Sequence, residues 1–313
     1  MGKTPGFDPS IPWKLYRLLK NERPDVVNTH LRAILYSFPA QIRLKIRSFH
    51  TIHNVADREV GKAYKYLLHL LLNHFGFTAV SISPAIAEST VKLYGPQHRL
   101  VIENGIEQPK TTPALITVRK QIDNLKPSSD FRVLINIGRI SRQKNQKMLI
   151  DAYCDLVNSG YKTILLILGP DHELAEAVKR HAKESGCNHI YFLGMQKNPN
   201  DYLACADIFC LSSLHEGLPL TLLEAFATGT IPVCTPVGGI PDVIEPGKTG
   251  FISSDLSAMS FSSTLKQVLD MPTQRLTDIQ SRMKAIYEKR YSITTCANRY
   301  IAAYQQLTDN DLT

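Results

Sequence analysis

The sequence predicts an α/β protein built from two doubly wound units, and three observations carry that prediction. Short β-branched runs alternate with longer amphipathic stretches along the chain, the pattern of parallel strands with helices on both faces. Runs such as Val133 to Ile137 are nearly all apolar, as a strand buried on both faces requires. Between the two sets lies a polar stretch, Glu107 to Asp130, bearing Pro109, Pro113 and Pro127 with only a weak helical pattern, the composition of a linker. The expected domains are residues 1–106, a linker over 107–130, residues 131–292, and a final helical segment over 293–313.

In the first set the patterning predicts helices over Trp13–Lys20, Ala33–Ala40, Lys62–Phe75 and Pro84–Tyr94. It predicts strands over Asp25–Thr29, Ile46–Ile52, Thr78–Ser83 and Leu100–Glu103, closed by an Asn104-Gly105 turn. In the second set strands are expected over Val133–Ile137, Thr163–Leu168, His189–Leu193, Ile208–Leu211 and Ile231–Cys234. Helices are expected over Lys144–Asn158, Glu173–Ser185, near Tyr202, over Pro219–Ala227 and onward to the C-terminus. With about four strands and a helical start, the first set lacks an opening strand and loop, so the N-terminal unit is expected to be truncated.

Composition narrows the function classes. The 313 residues, 43% hydrophobic and 20% charged, suffice for two cores and exclude a disordered chain. No apolar run is long enough to cross a bilayer, and MGKTPGFDPSIPWK lacks the apolar stretch of a signal peptide, so a cytoplasmic protein is expected. The six cysteines form no CxxC pair and have no histidine at metal-ligand spacing; they read as reduced, mostly buried small hydrophobes. The net charge of +8 is concentrated in residues 1–110, which hold 15 Lys and Arg against 8 Asp and Glu. Arg43, Lys45, Arg47, Lys62 and Lys65 therefore form either a solvated basic face or a peripheral contact with the inner face of a membrane. No aromatic platform accompanies the charge, so no nucleic-acid partner is expected.

Two segments carry chemistry. Gly138 and Arg139 end a strand and Lys144 opens the next helix, a place where glycine lets the backbone approach a ligand and two cations can meet a diphosphate. The segment from Ser213 to Ala225 sets Glu216 before a helix start at Pro219 and Glu224 inside that helix. Two acids flanking an anion-binding helix start match a nucleotide sugar, with hydroxyls at both ends and a diphosphate between. Each residue also has an ordinary reading as a surface ion pair or a partnered buried acid. Thr235 to Asp242 is either the floor of the same cleft or a tight turn.

The stretch Glu216 to Glu224 resembles the Glu, seven residues, Glu motif of retaining nucleotide-sugar glycosyltransferases of family 4. GRISRQKN at 138–145, TPVGGIPDVI at 235–244 and GKTGFI at 247–252 are similar to that family in the same order. Pro24 to His30, His50 to Asn54 and Asn104 to Ile106 resemble it more loosely. The resemblance implies the GT-B fold, two Rossmann-like domains facing a cleft, here without the first strand and glycine-rich loop, about sixty residues by the size of two βα units.

It further implies that Arg139 and Lys144 bind the diphosphate, that Glu216 contacts the donor sugar and that Glu224 contacts the ribose. Gly138, Gly217, Leu218, Leu220 and Thr221 would line the phosphate and sugar site, Gly194 and Met195 would contact the base, and His53 would face the donor or be a structural histidine. The implied reaction moves a sugar from a nucleotide-diphosphate donor to a carbohydrate or lipid-linked hydroxyl with retained configuration, in polysaccharide or glycolipid synthesis, with no metal or other cofactor. Two other readings stay open: a donor-binding module without catalysis, and a sugar-nucleotide epimerase of the same fold.

Overall fold

The computed structural model describes residues 8–53 and 61–309. Asn54 and residues 310–313, which belong to the segments expected above, lie outside the described residues. The chain divides into two compact units, Met1–Glu103 with Asn298–Thr313, and Asn104–Ala297.

The first unit runs α1 (Ser10–Glu22), β1 (Val26–His30), a 3₁₀ turn at Leu31–Ala33, α2 (Ile34–Leu44), β2 (Arg47–Ile52), α3 (Lys62–His74), β3 (Phe77–Ser81) and α4 (Pro84–Tyr94). The strands form a parallel sheet in the order β1-β2-β3, with Thr29 beside His50 and His50 beside Ala79. Its core holds Ile34, Phe49, Ile52, Leu68, Leu71, Val80 and Ile86. The expected strand over Leu100–Glu103 reduces to a single parallel bridge between Ser81 and Val101, because the chain leaves the sheet after two hydrogen bonds to Ser81. The last helix, α13 (Ile293–Asp309), contributes its length from Asn298 onward to this unit. There Arg299 donates to the buried Glu103 at 2.8 Å, and Tyr304 sits edge-on to Phe49 at 4.8 Å.

The second unit opens with α5 (Leu115–Leu125), inside the stretch expected as a linker. Val118 and Ile122 repeat at helical spacing and are buried, Tyr191 donates to the Leu125 carbonyl at 2.9 Å, and Tyr202 donates to Gln121 at 2.9 Å. The weak helical pattern is therefore a packed helix of this unit. Then follow β4 (Arg132–Ile137), α6 (Gln146–Asn158), β5 (Thr163–Leu168), α7 (Ala175–Glu184), β6 (Ile190–Gly194), α8 (Pro199–Ala204), β7 (Ile208–Leu211) and α9 (Leu220–Thr228). β8 (Ile231–Cys234), α10 (Ile240–Val243), β9 (Phe251–Ile252), α11 (Ala258–Leu269), α12 (Thr273–Ile286) and a π-helical turn at Tyr287–Tyr291 complete it.

The six strands are parallel in the order β6-β5-β4-β7-β8-β9. Every residue of β5, β7 and β8 is buried, which is why these strands read as unbroken apolar runs. The order reverses between β4 and β7, so the loops leaving those two strands diverge and open a crevice at their carboxyl ends. One reading is corrected here. Cys154 on α6 and Cys187 after α7 form a disulfide with Cα atoms 5.7 Å apart, because α6 and α7 pack side by side; Cys205, Cys210, Cys234 and Cys296 take part in no disulfide among the described residues.

Candidate functional site

At the crevice between β4 and β7 the chain makes a charged contact in a largely dry place. Lys144 Nζ donates to Glu216 Oε1 at 2.6 Å, and the two side chains are only 14% and 8% exposed. Ser213 Oγ donates to the same Oε1 at 2.6 Å. Oε1 thus has two donors, while Oε2 and the remaining ammonium protons are left for a ligand. Charge-assisted bonds of this length are the strong kind, and they fix both side chains in one arrangement.

Local backbone explains how Lys144 reaches Glu216. Asn145 takes a left-handed conformation at φ 52°, so α6 starts at Gln146 and Lys144 lies in the loop rather than on the expected helix. Asparagine is among the few residues that tolerate that region. A buried polar brace holds the loop: Asn136 donates to the Cys210 carbonyl at 2.8 Å, tying β4 to β7, and Gln146 donates to Asn136 at 3.3 Å and to the Arg139 carbonyl at 2.9 Å. Leu214 N donates to the Gln143 carbonyl at 2.8 Å, Gln143 Nε2 donates to the His215 carbonyl at 3.0 Å, and Ser212 donates to the Lys144 carbonyl at 2.8 Å. The two loops are stitched together at their backbones.

The glycines have separate reasons. A Cβ on Gly138 would lie 3.2 Å from the Lys144 stem, so glycine leaves room for that side chain. A Cβ on Gly238, at φ 57°, would overlap the Glu216 carbonyl, and Gly239 N donates to the Gly217 carbonyl at 2.8 Å. Thr235 donates to the Ser213 carbonyl at 2.6 Å. The segment from Thr235 is thus the floor beneath Glu216. Gly194, at φ 65°, ends β6 and accepts from Gly169 N at 2.9 Å, while Met195 is 75% exposed.

α9 begins at Leu220 with Pro219 as its cap, one residue later than expected. The amides of Leu220 and Thr221 have no intrahelical acceptor at such a start. Thr221 Oγ1 is buried without a hydrogen-bond partner among the described residues, an orphaned group at the mouth of an anion-favouring helix end. Leu218 is buried and Leu220 half exposed. Glu224, on the same helix, is half-buried; no hydrogen bond or ion pair reaches its carboxylate among the described residues, and burial raises its pKa. Arg139 is exposed, with no ion pair among the described residues.

His53 belongs to the first unit. It follows β2, and its Nε2 lies 2.9 Å from His30 Nδ1 at the end of β1. Beneath them the fully buried His50 meets Thr29 Oγ1 at 2.9 Å and Tyr64 OH at 3.4 Å. Burial lowers the pKa of all three rings, that of His50 to about 4.

The structure therefore brings Gly138, Lys144, Glu216 and Gly217 together, and sets Thr221 and Glu224 on the helix that follows. It adds Ser213, Gly238, Asn136 and Gln146, the last two unforeseen because a buried amide reads in sequence as an ordinary polar residue. Among the described residues no cluster of three His, Cys, Asp or Glu could hold a metal, and no helix is long and apolar enough to cross a membrane.

Two units with parallel sheets, the six-stranded one with an ion pair at its topological switch point, make an α/β protein of the GT-B type. Residues 118–290 match the family model for glycosyl transferases group 1, and residues 1–108 match that for glycosyltransferase family 4. The chain belongs to the group 1 glycosyl transferases. It is 26% identical over 273 residues to the capsular polysaccharide biosynthesis glycosyltransferase CapH of Staphylococcus aureus, covering 83% of this chain and 73% of that one. It is 28% identical over 271 residues to the UDP-Gal:alpha-D-GlcNAc-diphosphoundecaprenol alpha-1,3-galactosyltransferase of Escherichia coli, covering 82% and 69%. The fold is shared with a glycosyltransferase from Rickettsia africae (TM-score 0.84, 18% identity, 99% of this chain and 84% of that one). It is also shared with HepE of Anabaena in complex with UDP and glucose (TM-score 0.82, 18% identity, 96% and 84%).

Proposed function

We propose that this glycosyltransferase takes a nucleoside-diphosphate sugar as donor at the β4/β7 crevice and passes the sugar, with retained anomeric configuration, to a hydroxyl of a carbohydrate or lipid-linked acceptor in polysaccharide or glycolipid synthesis. The observation that carries this reading is the enclosed contact of Lys144 and Ser213 with one oxygen of Glu216. Oε2 of Glu216 accepts from a hydroxyl of the donor sugar, and the free ammonium protons of Lys144 meet the diphosphate.

As the bond from the anomeric carbon to the diphosphate oxygen breaks, its electron pair goes to the diphosphate. Lys144, Arg139 and the start of α9 stabilise the charge that develops there. The acceptor oxygen bonds to the carbon on the face the leaving group departs from, and its proton passes to the departing diphosphate. Glu224 accepts from the ribose hydroxyls, Thr221 from or to the phosphate and sugar region, and the backbone at Gly194 and Met195 meets the base. These side chains supply the needed charge without a metal. The acceptor class is supported by the Staphylococcus relative, a capsular polysaccharide biosynthesis glycosyltransferase, and the Escherichia relative, a galactosyltransferase acting on a diphosphoundecaprenol-linked sugar.

Calorimetry with UDP, GDP and ADP in the absence of metal tests the donor site. One nucleotide is expected to bind tightly to the wild type and weakly to Lys144→Ala and Glu224→Ala; equal binding in all three proteins defeats the assignment. The configuration of the product, read by proton NMR, tests retention.

A further inference from the structure

The two cysteines that the structure joins have a setting that the donor reading does not use. Cys154 lies on α6 and Cys187 in the turn between α7 and β6, 33 residues further on, so the bond closes a loop that holds β5 and α7 whole. Both residues are half-buried, whereas Cys210 and Cys234 are sealed inside the sheet, where burial pushes both thiols up. Exposure of this kind marks the first pair as the one that small thiols and disulfides can exchange with.

The crossover that the bond encloses is a weakly anchored edge of the six-stranded sheet. α6 buries a whole face, including Leu149, Ala152 and Leu156, but α7 buries only Ala175, Val178 and Ala182, all short side chains. β6 is an edge strand, and none of its residues is fully buried. Few buried apolar contacts mean a low free energy of local opening. A second tie runs beside the first. Tyr153, next to Cys154, donates from its hydroxyl to the Thr163 carbonyl at 2.8 Å and lies 3.1 Å from the carbonyl of Asn188, next to Cys187. That tie needs no sulfur, so it holds the same two segments together whether or not the cysteines are bonded. The Cα spacing of 5.7 Å is one that a disulfide closes across without backbone movement.

We propose that Cys154 and Cys187 form a reversible redox clasp on the crossover from α7 to β6, closed by exchange with a low-molecular-weight disulfide and opened by a low-molecular-weight thiol. In closing, one cysteine thiolate attacks a sulfur of the small disulfide, whose S–S bond breaks and whose first half leaves, taking up a proton to become a thiol. The other cysteine thiolate then attacks the protein sulfur of the mixed disulfide and displaces the second half, which is protonated in turn. Two protein thiols are oxidised and one small disulfide is reduced to two thiols; opening is the reverse. With the clasp closed the crossover opens rarely, because its ends stay joined. With the clasp open, α7 and β6 rely on the Tyr153 tie and three short side chains. The proposal is independent of the donor reading, and its test contains no nucleotide.

The whole protein is equilibrated with mixtures of reduced and oxidised glutathione, quenched with acid, alkylated after denaturation and analysed by mass spectrometry. One two-electron transition is expected, in which the Cys154 and Cys187 peptides become linked while Cys205, Cys210, Cys234 and Cys296 stay open to alkylation. The native protein is then exposed to trypsin, for which α7 offers Arg180 and Lys183 in exposed positions. The reduced form should be cut there on the order of a hundredfold faster than the oxidised form and melt about 10 °C lower, as for loss of a disulfide across a loop of this length. The double variant Cys154→Ser, Cys187→Ser should behave as the reduced form at every glutathione ratio. If that variant fails to fold, Cys187→Ser alone removes the clasp with one substitution. A pair that stays reduced or stops at a mixed disulfide at every ratio overturns the proposal, as does a bond that is reduced only after the protein unfolds. Equal cutting of the two forms overturns it too, and so does a redox response that persists in the variant, since another cysteine would then be responsible.

Discussion

Both units put their polar side chains at the carboxyl ends of parallel strands, but they do so with opposite electrostatics. In the first, His30, His50 and His53 stand together with no carboxylate hydrogen-bonded to them among the described residues, and burial keeps their rings uncharged. In the second, a lysine and a glutamate stay paired in an almost equally dry place. The contrast teaches which property each site needs. Uncharged rings can exchange hydrogen bonds with hydroxyls without attracting an anion, whereas the second unit concentrates charge at the crevice proposed above for the donor diphosphate.

The largest expected effect breaks the charged side of that comparison. Lys144→Ala leaves Glu216 buried with Ser213 as its only side-chain donor among the described residues, and an unpaired buried charge costs about 3–5 kcal/mol. Transfer should fall on the order of a thousandfold, as for loss of one well-placed electrostatic group. The double variant Lys144→Met, Glu216→Gln removes the unpaired charge, so it should recover most of the stability measured by denaturant unfolding and none of the transfer. Recovery of transfer would show that the ion pair is structural.

The uncharged side is tested by acid. His50 has a folded pKa of about 4, below its ordinary value of about 6.5. A depressed histidine is neutral in the fold and takes a proton more readily when unfolded. The stability it contributes is thus present above about pH 6.5 and is lost as pH falls toward 4. Over that window the loss is on the order of 3 kcal/mol, with His50 the dominant residue in the first unit. Melting temperature against pH should fall between those limits in the wild type and fall less steeply in His50→Gln. An unchanged slope would mean that other groups govern the acid limb.

Legibility differed between the two units for physical reasons. The second unit's sheet could be read because strands buried on both faces leave unbroken apolar runs, and the residues of its crevice because Gly138, Lys144 and Glu216 lie in the loops that follow two such runs, with Glu224 in the helix after them. The first unit's His53 was legible only through resemblance, while its neighbours His30 and His50 carry no spacing signal; strand pairing alone brings them together. Helix α5 was hidden by its flanking prolines, and the Cys154–Cys187 disulfide by a separation of 33 residues that only the packing of α6 on α7 closes. Gly238 belongs to the segment that reads in sequence as either the cleft floor or a tight turn, and a Cβ there would overlap the Glu216 carbonyl. Gly238→Ala should therefore shift Glu216 and lower transfer. Gly247→Ala, also at positive φ but with open space around it, should cost only the backbone strain of about 1–2 kcal/mol and leave transfer intact.

The smallest effect sharpens the comparison, because Glu224 belongs electrostatically with the first unit although it lies in the second. Like the histidines it is perturbed by burial, and unlike Glu216 it has no ion pair among the described residues. Its folded pKa is raised, so its protonated form favours the fold, and that stability is lost as pH rises through the folded pKa. At neutral pH the ionised carboxylate is then a cost to the free protein that hydroxyl donors from a bound ribose would offset. Glu224→Gln removes the charge while keeping an acceptor. It should raise the melting temperature of the free protein by a few degrees at pH 7, less at pH 4, and weaken nucleotide binding about tenfold, as for loss of one hydrogen bond to a charged group. A free-protein melting temperature that falls instead would mean that Glu224 is held by a partner its burial conceals. Unaltered nucleotide affinity would move the ribose elsewhere in the crevice.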